Sequence, residues 1–235
     1  PLPTCYTDHQ QAMSMMSSES TLWYLKNFSF FECLSESEFE EFARLAQLQV
    51  LPRKGFVFYS DDDGEYVYFL KRGHVKLSRL LPDGKEAILD VVSPGEFFGQ
   101  IESRQRGTET SEDVVEALDE ALICVFRRTD FEKILDENPK LNREVLKQVG
   151  DRFLRFQERM IDIAFRDARS RVASFVLRYA TEIGYLTHQE IAYLTSLSRQ
   201  TVTVHLNEFR DAGLISFDRQ GISVLDADGL KHVSS

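Results

Sequence analysis

Between Val50 and Arg127, short runs rich in Phe, Val, Tyr, Ile and Leu are cut by four turn signals: Asp61-Asp62-Asp63-Gly64, Lys71-Arg72-Gly73, Pro82-Asp83-Gly84 and Ser93-Pro94-Gly95. Their glycines stand nine, eleven and eleven residues apart. Glycine tolerates the positive φ that tight reversals need. Strands this short, reversed this regularly, predict an antiparallel all-β sandwich or barrel. Within it, Val75 and Leu77 alternate with Lys76 and Ser78. That two-residue period belongs to a half-buried strand.

The flanking segments change to a helical period. Thr21–Asn27 reads as a short helix. Ser35 followed by Glu38 is a capping box, with Phe39, Phe42, Leu45 and Ala46 after it at helical spacing. Thr129 and Glu132 form a second box, and Asn138-Pro139 reads as an N-cap with proline in the first helical position. A long helix follows, from about Pro139 to Ile163. In it Leu146, Val149, Phe153, Phe156, Met160 and Ile163 step by 3, 4, 3, 4 and 3 residues. Lys147, Arg152, Arg155, Glu158 and Arg159 flank the stripe. A two-in-seven stripe over three heptads is a coiled-coil seam, so a second copy of this chain is the expected partner. Asp167 caps a further helix, Ala168–Ile183, with Val172, Phe175, Val176 and Tyr179 inward.

The segment Leu186–Phe209 carries the chemistry. Thr187 and Glu190 form a capping box for one short helix, with Ile191 and Leu194 inward. Ala192 is small where two helices must cross, and Leu197 also points into the core. Ser198 caps a second helix, whose buried face is Val202, Leu206 and Phe209. Arg199, Gln200, Thr201, Thr203 and Val204 then lie at or near the start of that helix, with Arg199, Gln200, Thr203 and Val204 facing outward. A recognition helix reads base edges in the major groove from that end. Arg199 matches guanine bidentately, Gln200 matches adenine, and Val204 matches a thymine methyl. Thr187, His188 and Gln189, with the free N–H groups of the first helix, suit phosphates. Leu214–Leu225 alternates around Asp218-Arg219-Gln220-Gly221 as a hairpin. Helix-turn-helix followed by a β-wing is a specific combination, and it makes double-stranded DNA the expected partner.

Composition limits the alternatives. In 235 residues, 43% are hydrophobic and 28% are charged, which fits a globular chain with a core and excludes a disordered one. The net charge is −10, yet residues 165–235 carry eight basic and eight acidic side chains, so the acidic excess lies entirely in the preceding part. No apolar run is long enough to span a bilayer, and Pro1–Glu19 lacks the pattern of a secretory signal. Three cysteines, Cys5, Cys33 and Cys124, fit reduced thiols in a cytoplasm. No nucleophile–base set, metal-ligand cluster or phosphate loop stands out, so no enzyme activity and no metal or cofactor is expected.

The motifs together resemble the CRP/FNR family of bacterial transcription regulators from about residue 20 onward. The resemblance rests on Gly64, on Val67–Leu77, on Pro94-Gly95-Glu96-Phe97-Phe98-Gly99, on the hinge Phe165-Arg166-Asp167, and on Ser198–Val202. It implies an α+β chain: an antiparallel β-roll of the jelly-roll-like, cyclic-nucleotide-binding type with flanking helices over 1–137, a dimerisation helix over 138–164, and a winged helix-turn-helix over 165–235. It also implies a homodimer that reads a palindromic promoter site, with RNA polymerase as a further partner if the chain is an activator.

Departures from the family pattern bear on the signal. In cyclic-AMP-binding members a Gly-Glu pair holds the ribose and a later Arg-Ser pair holds the phosphate. Here Gly99 is followed by Gln100, and the arginine position falls at Thr110 or Ser111. A phosphodiester needs a positive partner there, so Gly99, Gln100, Thr110 and Ser111 form an effector pocket expected not to take cyclic AMP. The alternatives are a cyclic-nucleotide-responsive, redox-responsive or gas-responsive regulator of the same fold, with Cys33, Cys124 and His74 as the residues that would serve the last two. Cysteine spacing does not fit an iron–sulfur cubane. Ser196 stands where the family turn has glycine.

Overall fold

The glycine-punctuated segment closes into two four-stranded antiparallel sheets. The structure is a computed structural model that describes residues 28–58, 65–81, 86–99, 112–179, 184, 186–218 and 221–234. The strands are β1 (Gln47–Leu51), β2 (Phe56–Phe58), β3 (Tyr66–Arg72), β4 (Val75–Leu80), β5 (Glu86–Val92), β6 (Phe97–Gly99), β7 (Glu112–Ala117) and β8 (Ala121–Arg127). One sheet runs β1-β8-β3-β6 and the other β2-β7-β4-β5. Of the four glycine turns, those at Gly73 (φ +82°) and Gly95 (φ +94°) are in the left-handed region. A Cβ at Gly73 would stand 2.6 Å from the Glu120 carbonyl oxygen, so only glycine fits. The turns at Gly64 and Gly84, and the helix expected at Thr21–Asn27, lie outside the described residues.

Strand β3 shows how one sequence period builds two cores. Val67 and Phe69 point to an aromatic cluster under the helices, with Phe30, Phe31, Phe42, Phe97, Phe126 and Phe131. Tyr68 and Leu70 point between the sheets, with Phe98, Val115 and Ile123. The rings of Phe31 and Phe69 meet edge to face at 5.1 Å, while Tyr68 and Phe98 stack at 5.2 Å. Each such buried ring contributes about 1.5–3 kcal/mol. The 3-10 turn Ser29–Phe31 and helix α1 (Glu36–Leu45) close that cluster, and the Ser35–Glu38 capping box forms as expected.

Strand β4 departs from the half-buried reading. Lys76 and Ser78 are as buried as Val75: Glu190 of the C-terminal helix-turn-helix domain, the reader, covers Lys76 at 3.2 Å, and the Ser78 hydroxyl faces the Val114 carbonyl. Two caps also differ. Helix α2 (Arg128–Glu137) begins one residue before Thr129 and has no side-chain cap. The pairing of β8 with β3 runs to Arg127, so the Arg128 N–H is already donated to the Glu65 carbonyl (2.7 Å), and Glu132 accepts from the Arg128 guanidinium instead. Asn138 stands at the N-cap position of the next helix without capping it. Its side-chain amide donates to the Ile134 carbonyl (3.1 Å) and so finishes α2.

Helix α3 (Pro139–Phe165) is 27 residues long, two longer at its end than expected. At 1.5 Å per residue it spans about 40 Å. One face is fastened to the roll. Gln148 donates to the Gly95 carbonyl and accepts from the Phe97 N–H, Arg152 donates to the Phe97 carbonyl, and Arg159 donates to the Leu89 carbonyl, all within 3.0 Å. Arg155 pairs with Glu96 at 2.8 Å. The other face leaves Leu146, Val149, Phe153, Phe156 and Met160 exposed, Leu146 by 68% and Phe153 by 58%. Ile163, the last residue of the stripe, is half-buried.

Asp167 accepts from the Ser170 N–H (2.7 Å) and starts α4 (Ala168–Arg178), which buries Val172, Phe175, Val176 and Tyr179. The helix ends at Arg178 rather than Ile183, with Tyr179 at its C-cap. Helices α5 (His188–Thr195) and α6 (Arg199–Asp211) follow, then the hairpin β9 (Ile215–Asp218) and β10 (Gly221–Val224). The hairpin register pairs Asp218 with Gly221, as the alternation predicts. A last helix, α7 (Ala227–Ser234), was not legible from its pattern. Asp226 accepts from the Gly229 N–H (2.9 Å) at its start, and Leu230 is fully buried.

Candidate nucleic-acid interface

Two short helices meet at a right-sized crossing because their sequences cap and turn them there. Thr187 accepts from the Glu190 N–H (3.2 Å), and Glu190 accepts from the Thr187 N–H (2.7 Å), completing the capping box of α5. Ser196 ends the helix in the left-handed region, at φ +54° and ψ +44°. A residue other than glycine there costs about 1 kcal/mol. The bond from Leu197 N–H to the Ala192 carbonyl (2.9 Å) holds the turn. Ser198 then accepts from the Thr201 N–H (3.0 Å) and starts α6. Val202, Leu206 and Phe209 are fully buried with Ile191, Ala192 and Leu194.

Of the residues expected to meet DNA, Thr187, Gln189, Ser198, Arg199, Gln200 and Val204 are exposed. They line the start of both helices, where the first backbone N–H groups lack intrahelical partners and the helix dipole favours anions. Arg199 and Gln200 supply donors with fixed forks, and Val204, half exposed, supplies an apolar contact. Ser198 and Thr201 also bond to each other (2.8 Å), so their side chains shape the turn. His188 and Thr203 are half-buried and joined at 2.9 Å. The Thr203 hydroxyl donates to the Arg199 carbonyl (2.9 Å), so His188 Nδ1 is the donor to it. Burial first, and the Arg199 guanidinium second, push the His188 pKa below the usual histidine range. His188 is therefore neutral near pH 7 and braces α5 against α6. The tip of the wing, Arg219 and Gln220, lies outside the described residues.

The residues expected to hold an effector are only partly described. Gly99 ends β6 at φ +105°, where a Cβ would press on the Tyr66 carbonyl oxygen (3.0 Å) and the Tyr68 ring (3.1 Å). Gln100, Thr110 and Ser111 lie outside the described residues. Beside the roll, a cavity of about 360 Å³ opens between β4, β5 and α3, lined by Leu77, Asp90, Val149, Arg152, Phe156 and Tyr179 among others. Burial raises the Asp90 pKa against the opposing pull of Arg152 and Arg155. His74 is held by Asp119, which accepts its backbone N–H (2.6 Å) and faces its ring at 3.3 Å. Among the described residues, no cluster of His, Cys, Asp and Glu could hold a metal, and no helix is long and apolar enough to cross a membrane.

A winged helix-turn-helix set behind a β-roll and a long apolar-striped helix defines a class of DNA-binding transcription regulator. Residues 48–138 match the cyclic nucleotide-binding domain family, and residues 170–233 match the Crp-like helix-turn-helix domain family. The CRP-like cAMP-activated global transcriptional regulator of Mycobacterium tuberculosis is 27% identical over 190 residues, covering 76% of this chain and 84% of that protein. The global nitrogen regulator of a Synechocystis strain is 29% identical over 190 residues, covering 75% and 84%. The structure of FixK2 from Bradyrhizobium japonicum shares the fold, with a TM-score of 0.68 at 20% identity over 81% of this chain and 98% of that one. The chain belongs to the CRP/FNR family and is a helix-turn-helix transcription regulator of that type.

Neither described cysteine has the environment of a reactive thiol. Cys124 is fully buried, and burial pushes its pKa up to about 12 against the opposing charge of Lys71. Cys33 donates to the Phe30 carbonyl (3.4 Å), and its pKa is also raised by burial. Reactivity follows the thiolate. Iodoacetamide at about pH 8 should therefore leave Cys124 of the native chain unmodified until urea unfolds it, read by mass spectrometry of tryptic peptides. Rapid native labelling of Cys124 would contradict the buried-thiol environment.

Proposed function

We propose that this regulator acts as a homodimer that reads a palindromic duplex site through α6, and that cyclic AMP does not control it. The carrying observation is the exposure of Arg199, Gln200 and Val204 on the first turns of a helix whose opposite face is fully buried. That side-chain set is complementary to guanine, adenine and a thymine methyl in the major groove. The start of α5, at Thr187 and Gln189, takes the flanking phosphates, which set register without reading sequence. DNA selected from a random duplex library should contain a twofold-symmetric site, and affinity for it should fall steeply with salt. Arg199→Ala should cost roughly 1–3 kcal/mol and relax one base position per half-site, measured by fluorescence anisotropy. Equal binding of all sequences by the native protein and the variant would refute the reading.

Dimerisation is supported by the stripe on α3. A helix that spends one face on its own roll and leaves Leu146, Val149, Phe153, Phe156 and Met160 in water gains by pairing that stripe with a second copy. Phe153→Glu and Met160→Glu should each give a monomer in analytical ultracentrifugation. A persistent dimer in both would remove the seam.

The cyclic-AMP statement rests on charge. The family's phosphate-holding arginine position falls at Thr110 or Ser111, neither of which is cationic, and the ribose-holding glutamate position is Gln100. The relative in Mycobacterium tuberculosis is described as cAMP-activated, which makes this the sharpest difference proposed here. Millimolar cyclic AMP should leave the melting temperature unchanged, whereas binding would raise it by mass action. The chain is read as a cytoplasmic regulator without enzyme activity, contacting RNA polymerase where it activates.

A further inference from the structure

We infer that Lys76 is a positioning residue for DNA binding: it fixes how the reader sits on the roll by holding Glu190. Lys76 lies on β4 and is 3% exposed. Its ammonium meets Glu86 of β5 at 3.1 Å, Glu116 of β7 at 2.8 Å and Glu190 of α5 at 3.2 Å. A lysine has three N–H donors. Three carboxylates from three elements use all of them, two from the roll and one from the reader. Glu86 and Glu116 of the roll more than balance the charge but occupy two donors, so once the reader covers the ammonium its third donor needs an acceptor from the reader. Glu190 supplies that acceptor through one oxygen. Its other oxygen accepts from the Thr187 N–H at 2.7 Å, at the end of α5 that faces phosphate. One carboxylate thus ties the phosphate-facing end of the reader to the roll.

The surrounding contact is apolar. Ile88, Val91 and Leu118 of the roll share one cluster with Val172, Leu194 and Leu206 of the reader. Apolar surfaces tolerate sliding, while the single Lys76–Glu190 contact, held at both ends by Glu86 and Glu116 on the roll and by Thr187 at the start of α5, resists it, so the socket selects one orientation. In a dimer, that orientation sets the separation of the two recognition helices and hence the half-site spacing. This consequence rests on the dimeric reading proposed above; the socket itself does not.

The test uses the full chain with Cys5→Ser and Cys33→Ser. Spin labels at Arg53→Cys and Asp211→Cys are diluted with unlabelled protein, and distances are read by pulsed electron resonance. Lys76→Met removes the ammonium. Glu190→Gln keeps a capping acceptor for Thr187 and removes the charge. The unsubstituted socket should give one narrow distance and bind its selected duplex at least about tenfold better than duplexes with the half-sites moved one base pair closer or farther. Both variants should broaden the distance and lose most of that spacing preference, and the double variant should be no broader than either. A narrow, unchanged distance in Glu190→Gln overturns the proposal. Broadened distances with an intact spacing preference overturn the positioning role. If no duplex is bound selectively, the DNA reading fails, and the distances alone still judge whether Lys76 holds the reader.

Discussion

The division of α3 into a polar-fastened face and an apolar face is the constraint on which the rest of the molecule depends. Gln148, Arg152, Arg155 and Arg159 reach the carbonyls and carboxylates of the β5–β6 region. Their spacing of three to four residues keeps them on one side of the helix. Once they are engaged, the helix cannot rotate, and the stripe is left outside the core: Leu146 and Met160 are exposed, while Val149, Phe153 and Phe156 border the cavity beside Leu77 and Asp90. Had the apolar stripe been laid on the roll instead, four polar groups would have faced water and no surface for a second copy would remain. The same placement carries the chain across the roll, so that α4 begins where the reader can pack against β5.

Much of this was legible because it depends on local chemistry. A capping box is a short-range hydrogen-bond pattern, and those at Ser35–Glu38 and Thr187–Glu190 form as the residues dictate. Glycine at positive φ marks a turn wherever it falls, as at Gly73 and Gly95. The failures share a cause. Thr129–Glu132 has the letters of a box, but β8 had already delivered Arg128 to the Glu65 carbonyl, and a tertiary bond displaced the local one. Asn138 could cap forward or close backward, and its amide closes α2.

Lys76 is the most instructive of these. The alternation of Val75 and Leu77 with Lys76 and Ser78 says that neighbouring side chains face opposite ways. It does not say what covers the polar side. That cover is a helix more than a hundred residues later in the chain, and no pattern within β4 could announce it. Burial opposes the ammonium, yet hydrogen bonds to Glu116 and Glu86 overcome it and hold the Lys76 pKa well above the usual lysine range. A buried lysine that stays charged is evidence of partners supplied on purpose by the fold.

The same ion cluster bears on how an acidic protein can bind DNA. The excess negative charge lies before residue 165 and the reader is neutral. Part of that excess is internal: Glu86 and Glu116 are committed to Lys76, and Asp90 and Glu96 to Arg152 and Arg155. Fields from the remaining carboxylates decay over about 8–10 Å at physiological ionic strength. What a phosphate meets at the start of α5 and α6 is governed by nearer groups: helix N–H donors, the Arg199 guanidinium and a histidine kept neutral by its burial and that guanidinium. Affinity built from so few cations per reader is strengthened when two readers share one duplex, so the dimer proposed from the stripe on α3 and the exposed start of α6 answer the same electrostatics.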